Sequence, residues 1–89
     1  MVFNEKKLVE LIFNVGRVEM EFGKVEDILS KDTANLMEDL SLDSLLMVEL
    51  IVEIEVEFDV EFDMNDLNIN ELKIYGNLKQ FIKDNMVND

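Results

Sequence analysis

The chain contains no cysteine and no histidine. That removes thiol nucleophiles, disulfides, the usual zinc ligand sets and any triad with imidazole as its base, and most hydrolase chemistry goes with them. Tryptophan is absent and glycine occurs 3 times, so little suggests a sugar-binding cleft or a glycine-rich phosphate loop. No proline marks a linker, and no internal repeat or low-complexity tract is present. Long apolar runs are missing too. Leu8 to Val15 is broken by Glu10 and Asn14, and Leu45 to Val52 by Glu49, so no segment is expected to cross a bilayer. The opening Met1-Val2-Phe3-Asn4-Glu5-Lys6-Lys7 lacks the basic, apolar, small-residue order of a secretory signal, which makes the cytoplasm the expected compartment.

Basic residues are scarce. Lys and Arg number 8 against 21 Asp and Glu, a formal charge of -13. A phosphate backbone or an anionic membrane face is repelled over about a Debye length, so neither nucleic acid nor membrane is an expected partner. The charge is also uneven: 13 acids and no base lie between Lys31 and Lys73, while both ends are nearly balanced. Such a stretch reads either as a solvated face or as a docking surface for basic partners.

What remains is an 89-residue chain with 48% hydrophobic and 33% charged residues. That supplies one compact core and is too short for most two-lobed enzymes, so residues 1–89 are expected to form a single domain. Asn4 is placed to cap a first helix with Leu8, Leu11, Ile12, Val15 and Phe22 on one face, and Gly23 to end it; Gly16 offers an earlier stop or bend. Residues 24–43 read as a long irregular connection with turn formers Ser30, Asp32, Thr33 and Asn35.

Asp43 offers an N-cap for a second helix whose core stripe is Met47, Leu50, Ile51, Ile54 and Phe58. By period alone, Val52 to Asp63 alternates strictly and fits a strand equally well. No second comparable strand exists to pair with it, which favours the helix. A turn of helix at Asn65 to Asn70 and a last helix from about Tyr75 to Met86, with Tyr75, Leu78, Phe81 and Ile82 inward, complete the chain. No side chain suited to capping precedes that last helix. The expected class is all-α: a small four-helix bundle of three main helices and one short one.

Chemistry is concentrated at Asp43-Ser44-Leu45, where the acidic connection meets the second helix. Free N–H groups and the positive end of the helix dipole would favour a phosphate ester on the Ser44 oxygen. Taken alone, the tripeptide is better explained as a helix start. A second apolar stripe, Leu45, Val48, Val52 and Val56, runs beside Ser44 and is flanked by Glu49, Glu53 and Glu55. It is either buried in a tight bundle or left outside as a contact surface.

Leu36 to Leu45, followed by Val48-Glu49-Leu50 and Glu57-Phe58-Asp59-Val60, resembles the acyl and peptidyl carrier protein family. The likeness extends upstream to Phe22-Gly23-Lys24-Val25-Glu26-Asp27-Ile28 and downstream to Tyr75-Gly76-Asn77-Leu78 with Phe81-Ile82, covering roughly residues 4 to 83. The resemblance implies a four-helix carrier fold and a chain that catalyses nothing itself. It also implies that Ser44 receives 4'-phosphopantetheine from coenzyme A through a phosphopantetheinyl transferase.

By the same resemblance, Leu45, Val48 and Val52 form the apolar centre of a surface gripped by loading and processing enzymes, and Asp43, Glu49 and Glu55 meet the basic residues of those partners. The implied function is a stand-alone, monomeric acyl carrier in fatty-acid, polyketide or related biosynthesis. Aminoacyl and peptidyl carriers are one alternative, because Leu46 stands where fatty-acid carriers usually have an acid, although Ser41-Leu42 departs from the Gly-Gly of those carriers; Leu42-Asp43-Ser44 also looks like D-alanyl carriers. Two readings from other classes are an unmodified acidic helical adaptor and a calcium sensor. The calcium spacing fails: a loop begun at Asp63 puts Asn68 where glycine is needed and Ile74 in place of the bidentate Glu.

Overall fold

The computed structural model describes residues 3–63, 65 and 67–86, and among them the secondary structure is helical, with no strand. The helices are α1 (Glu5–Val15), α2 (Phe22–Ile28), α3 (Ser44–Phe58), α4 (Ile69–Leu72) and α5 (Tyr75–Asn85). The all-helical class is as expected, with three main helices and a short one; α2 is an additional helix inside the connection.

Asn4 starts α1, its Oδ1 accepting the Lys7 N–H at 3.2 Å. The helix does not reach Phe22, and Gly23 does not end it. It stops at Val15, with Gly16 as C-cap and Arg17 beyond it in the left-handed region at φ 49. The Arg17 N–H donates to the Asn14 carbonyl and the Val18 N–H to the Phe13 carbonyl, both at 3.3 Å, which are the paired bonds of a Schellman ending. Glycine usually takes the left-handed place in that motif. Here it stands one residue earlier, because a Cβ on Gly16 would lie 2.7 Å from the Ile12 carbonyl oxygen and 2.8 Å from Leu42 Cδ1. The end of α1 is thereby pressed against the segment that leads into α3.

Phe22 opens α2 instead of closing the first helix, and its ring meets Phe13 edge-on with centroids 5.2 Å apart. The irregular connection therefore begins only after Ile28. Within it Asn35 organises a turn: its Oδ1 accepts the N–H groups of Met37 and Glu38 at 3.0 Å each, while Asp39 Oδ2 accepts the Asn35 N–H at 2.8 Å. This reciprocal arrangement satisfies donors as a capping box does. Leu36 and Leu40 anchor the turn in the core.

The same connection supplies the cap that α5 lacks in its own sequence. Ile74 gives no side-chain cap, but the Tyr75 N–H donates to the Ala34 carbonyl at 2.9 Å and the Gly76 N–H to the Asp32 carbonyl at 2.8 Å. A Cβ on Gly76 would lie 2.8 Å from Asp32 Cβ, so only glycine permits this approach. Side chains lock the joint. The Tyr75 hydroxyl donates to Glu5 Oε2 at 2.8 Å, and Lys79 Nζ lies 3.3 Å from Glu5 Oε2 and 2.7 Å from Asp32 Oδ1. Burial pushes the Tyr75 phenol pKa up, and the bond to Glu5 pushes it further. Burial alone would lower Lys79, but its bonds to Asp32 and Glu5 outweigh that and raise it.

The helix-or-strand ambiguity over residues 52–63 resolves in two halves. Met47, Leu50, Ile51, Ile54 and Phe58 are buried along α3, which continues to Phe58 and ends at Asp59 with φ 53. Beyond it the alternation continues outside regular structure, with Val60 and Phe62 buried and Glu61 and Asp63 exposed. Among the described residues no strand pairs with this piece. Instead the Phe62 N–H donates to Glu55 Oε2 at 3.0 Å, and the Phe62 ring packs on Phe81 at 4.7 Å. Of the turn of helix expected at Asn65 to Asn70, Asn65 is in 3₁₀ conformation and Ile69 and Asn70 open α4; Met64 and Asp66 lie outside the described residues. No described helix is long and apolar enough to cross a membrane.

Candidate functional site

Ser44 is the first residue of α3 and is exposed. Its place is set from the segment before it. Leu42 is buried, its side chain against Gly16 and its N–H donating to the Leu36 carbonyl at 3.2 Å. Ser41 turns the chain in the left-handed region at φ 62, which is the conformational demand that a glycine would meet most easily. Asp43 then adopts the extended cap conformation, and its Oδ1 accepts the Leu46 N–H at 2.8 Å. The first helical backbone bond runs from the Met47 N–H to the Asp43 carbonyl at 3.0 Å. The N–H groups of Ser44 and Leu45 are thus left in the open first turn, where a 15-residue helix concentrates its positive end.

The second apolar stripe is not buried. Leu45 is 67% exposed, Val48 43%, Val52 42% and Val56 70%, which decides between a packed stripe and a surface one. At 100° per residue, Leu45, Glu49, Val52 and Val56 fall within roughly 60° of one another, opposite the core stripe. Glu49 and Glu53 are exposed on this side. Asp43, Leu45, Val48, Glu49 and Val52 are therefore brought together on one accessible surface that begins at Ser44. Glu55 differs. It is half-buried, with one carboxylate oxygen held by the Phe62 N–H.

Several residues of the site were not singled out by sequence reasoning. Arg17 lines a hollow of about 380 Å³ with Val48, Glu49, Val52 and Glu53, the last already read as a flank of the stripe. Gly16 and Leu42 fix the approach to Ser44 through a contact between segments far apart in the chain. A glycine inside an otherwise helical pattern was the available signal for the first; nothing local marked the left-handed backbone of Arg17 or Ser41.

The geometry fits the attachment of a phosphate ester: an exposed hydroxyl, free N–H groups beside it and a capped helix behind it. A comparison with curated proteins gave no match. A family model described as "Phosphopantetheine attachment site" matches residues 16–82, a span that contains α2 to α4, most of α5 and Ser44 itself. The chain therefore belongs to the phosphopantetheine-attachment family, whose members carry 4'-phosphopantetheine covalently.

Proposed function

We propose that the protein is an acyl carrier that bears 4'-phosphopantetheine on Ser44 and presents acyl intermediates to successive partner enzymes. The observation that carries this reading is the exposure of Ser44 at the capped start of α3, at one end of a surface of Leu45, Val48, Val52 and Glu49. When attached, the cofactor supplies a terminal thiol that holds cargo as a thioester.

The chain's own part is positional. A phosphopantetheinyl transferase brings coenzyme A, and the Ser44 oxygen attacks the phosphorus next to the pantetheine; the P–O bond to the adenylate half breaks, and adenosine 3',5'-bisphosphate leaves. The Ser44 proton passes to a base of the transferase; the chain has no histidine, and the neighbouring Asp43 carboxylate is engaged as the helix cap by the Leu46 N–H. The open N–H groups of the first turn of α3 would be available to the phosphodiester that results.

Docking follows from the same helix. The exposed valines and Leu45 offer an apolar strip, and Asp43, Glu49 and Glu53 attract basic side chains at its margins. Such charges speed a transient encounter more than they tighten it, which suits a carrier that must leave each partner. The net charge of -13 opposes self-association and supports a monomer.

The test is incubation with coenzyme A and a permissive phosphopantetheinyl transferase, read by intact mass. One phosphopantetheine is expected per chain, and none on Ser44→Ala. An unchanged wild-type mass with several unrelated transferases would instead favour an unmodified adaptor. Loading the holo protein with fatty-acyl, malonyl or aminoacyl groups then separates the acyl reading from aminoacyl and D-alanyl carriers.

A further inference from the structure

We propose that Arg17 recognises a carboxylate on the partner that docks along α3, so that the partner's contact helix is basic on one flank and acidic on the other. The inference rests on the carrier reading of α3 and adds a specificity-determining residue to it.

Three residues other than glycine hold positive φ among the described residues, Arg17, Ser41 and Asp59. Asp tolerates that region through local hydrogen bonding of its short side chain; Arg has no such compensation. An arginine therefore occupies, at a cost, the position of the α1 ending that suits glycine best. Its location suggests what offsets that cost. Arg17 lines the hollow of about 380 Å³ whose other wall is Val48, Glu49, Val52 and Glu53 of α3. It also lines a second hollow, of about 480 Å³, with Glu19, Met20, Leu40 and Leu46. The two share Arg17 and follow α3 from its first turn to its middle.

Arg17 takes part in no ion pair among the described residues, although Glu49 and Glu53 line the same hollow. Among the described residues the groove thus has an apolar floor, an acidic wall on α3 and, past the end of α1, the Arg17 cation, which forms no ion pair even with Glu19 of the second hollow. A partner helix laid along it places apolar residues on Val48 and Val52 and basic residues toward Glu49 and Glu53. On the remaining flank a carboxylate pairs with the guanidinium, whereas a further basic residue would meet a like charge.

The probe is a pair of synthetic amphipathic helical peptides with a leucine face and two lysines on one flank, differing only in a Glu or a Gln on the other flank. Binding to the full chain is followed by NMR titration at physiological ionic strength. The Glu peptide is expected to bind two- to about fivefold tighter, the range one exposed charge pair supplies, with shifts centred on Val15, Val48 and Val52. In Arg17→Gly the preference is expected to vanish while the melting temperature rises, because the left-handed backbone is relieved. A merely structural arginine would lose stability there instead. In Arg17→Glu the preference should invert. Equal binding of the two peptides, binding of neither, or a preference that survives in Arg17→Gly overturns the proposal. Phosphopantetheine addition is scored separately on the wild type and on Arg17→Gly, so a failure of the carrier reading is seen on its own.

Discussion

Gly16→Ala tests how the position of Ser44 is held. The added Cβ would lie 2.8 Å from Leu42 Cδ1, 3.2 Å from Leu42 Cγ and 2.7 Å from the Ile12 carbonyl oxygen. Leu42 is buried, so displacing it is expected to move the segment that carries Asp43 and Ser44. Overpacking of this kind costs about 1–3 kcal/mol. Gly16 has an ordinary helical φ of -71, so alanine is not strained there and recovers roughly 0.4–1 kcal/mol by restricting the unfolded chain. The net expectation is a loss of about 1–2 kcal/mol, or a fall in melting temperature of roughly 5–15 °C for a domain of this size. Circular dichroism at 222 nm reads it, and the rate of phosphopantetheine addition at Ser44 should fall as well. Leu42→Ala removes the clashing side-chain atoms and leaves the Ile12 carbonyl, so the double variant should be more stable than the sum of the single losses by about 1 kcal/mol. A Gly16→Ala protein as stable as the wild type, or additive losses in the double variant, would refute the contact as the constraint.

Ser41→Gly should stabilise the protein by about 1 kcal/mol in urea unfolding, since Ser41 holds φ 62 and glycine takes that region without the Cβ penalty. Glu49→Lys should slow phosphopantetheine transfer in a salt-dependent way and leave the unfolding midpoint nearly unchanged. Glu55→Ala should do the reverse, costing about 1–2 kcal/mol by orphaning the Phe62 N–H while sparing transfer. Stability should also fall in alkali. The folded-state pKa of Tyr75 is raised, so its contribution is complete below the unfolded value of about 10 and is lost as pH rises beyond it; Lys79, also raised, acts in the same direction. Tyr75→Phe should make the dependence of the unfolding midpoint on pH shallower above pH 10, and an unaltered slope would exclude Tyr75 as its source.

Much of α3 could be read directly. Its core stripe, its Asp43 cap and its end at Phe58 follow from local spacing and from side chains that act on neighbouring backbone, all of which a linear pattern records. The start of α1 was legible for the same reason, through Asn4. Its end was legible only as one of two choices, Gly16 or Gly23. Gly16, where the helix does stop, lies against Leu42, 26 residues away, and no local rule contains that contact. The start of α5 was obscure for a related reason: its first N–H groups are satisfied by the carbonyls of Asp32 and Ala34, which leave no trace in the residues before Tyr75.

The order of residues alone determined that this acidic chain without cysteine or histidine would be helical, with a serine at the head of an amphipathic helix, because charge, composition and periodicity are properties of the chain itself. Which of the two apolar stripes on α3 stays in solvent was decided by tertiary structure. Leu45, Val48, Val52 and Val56 are as apolar as the residues behind them, and only the packing of the other helices leaves them uncovered. The side of the groove occupied by Arg17, and the engagement of Glu55 by the Phe62 N–H, were decided there too, since both depend on where separate segments come to rest against one another.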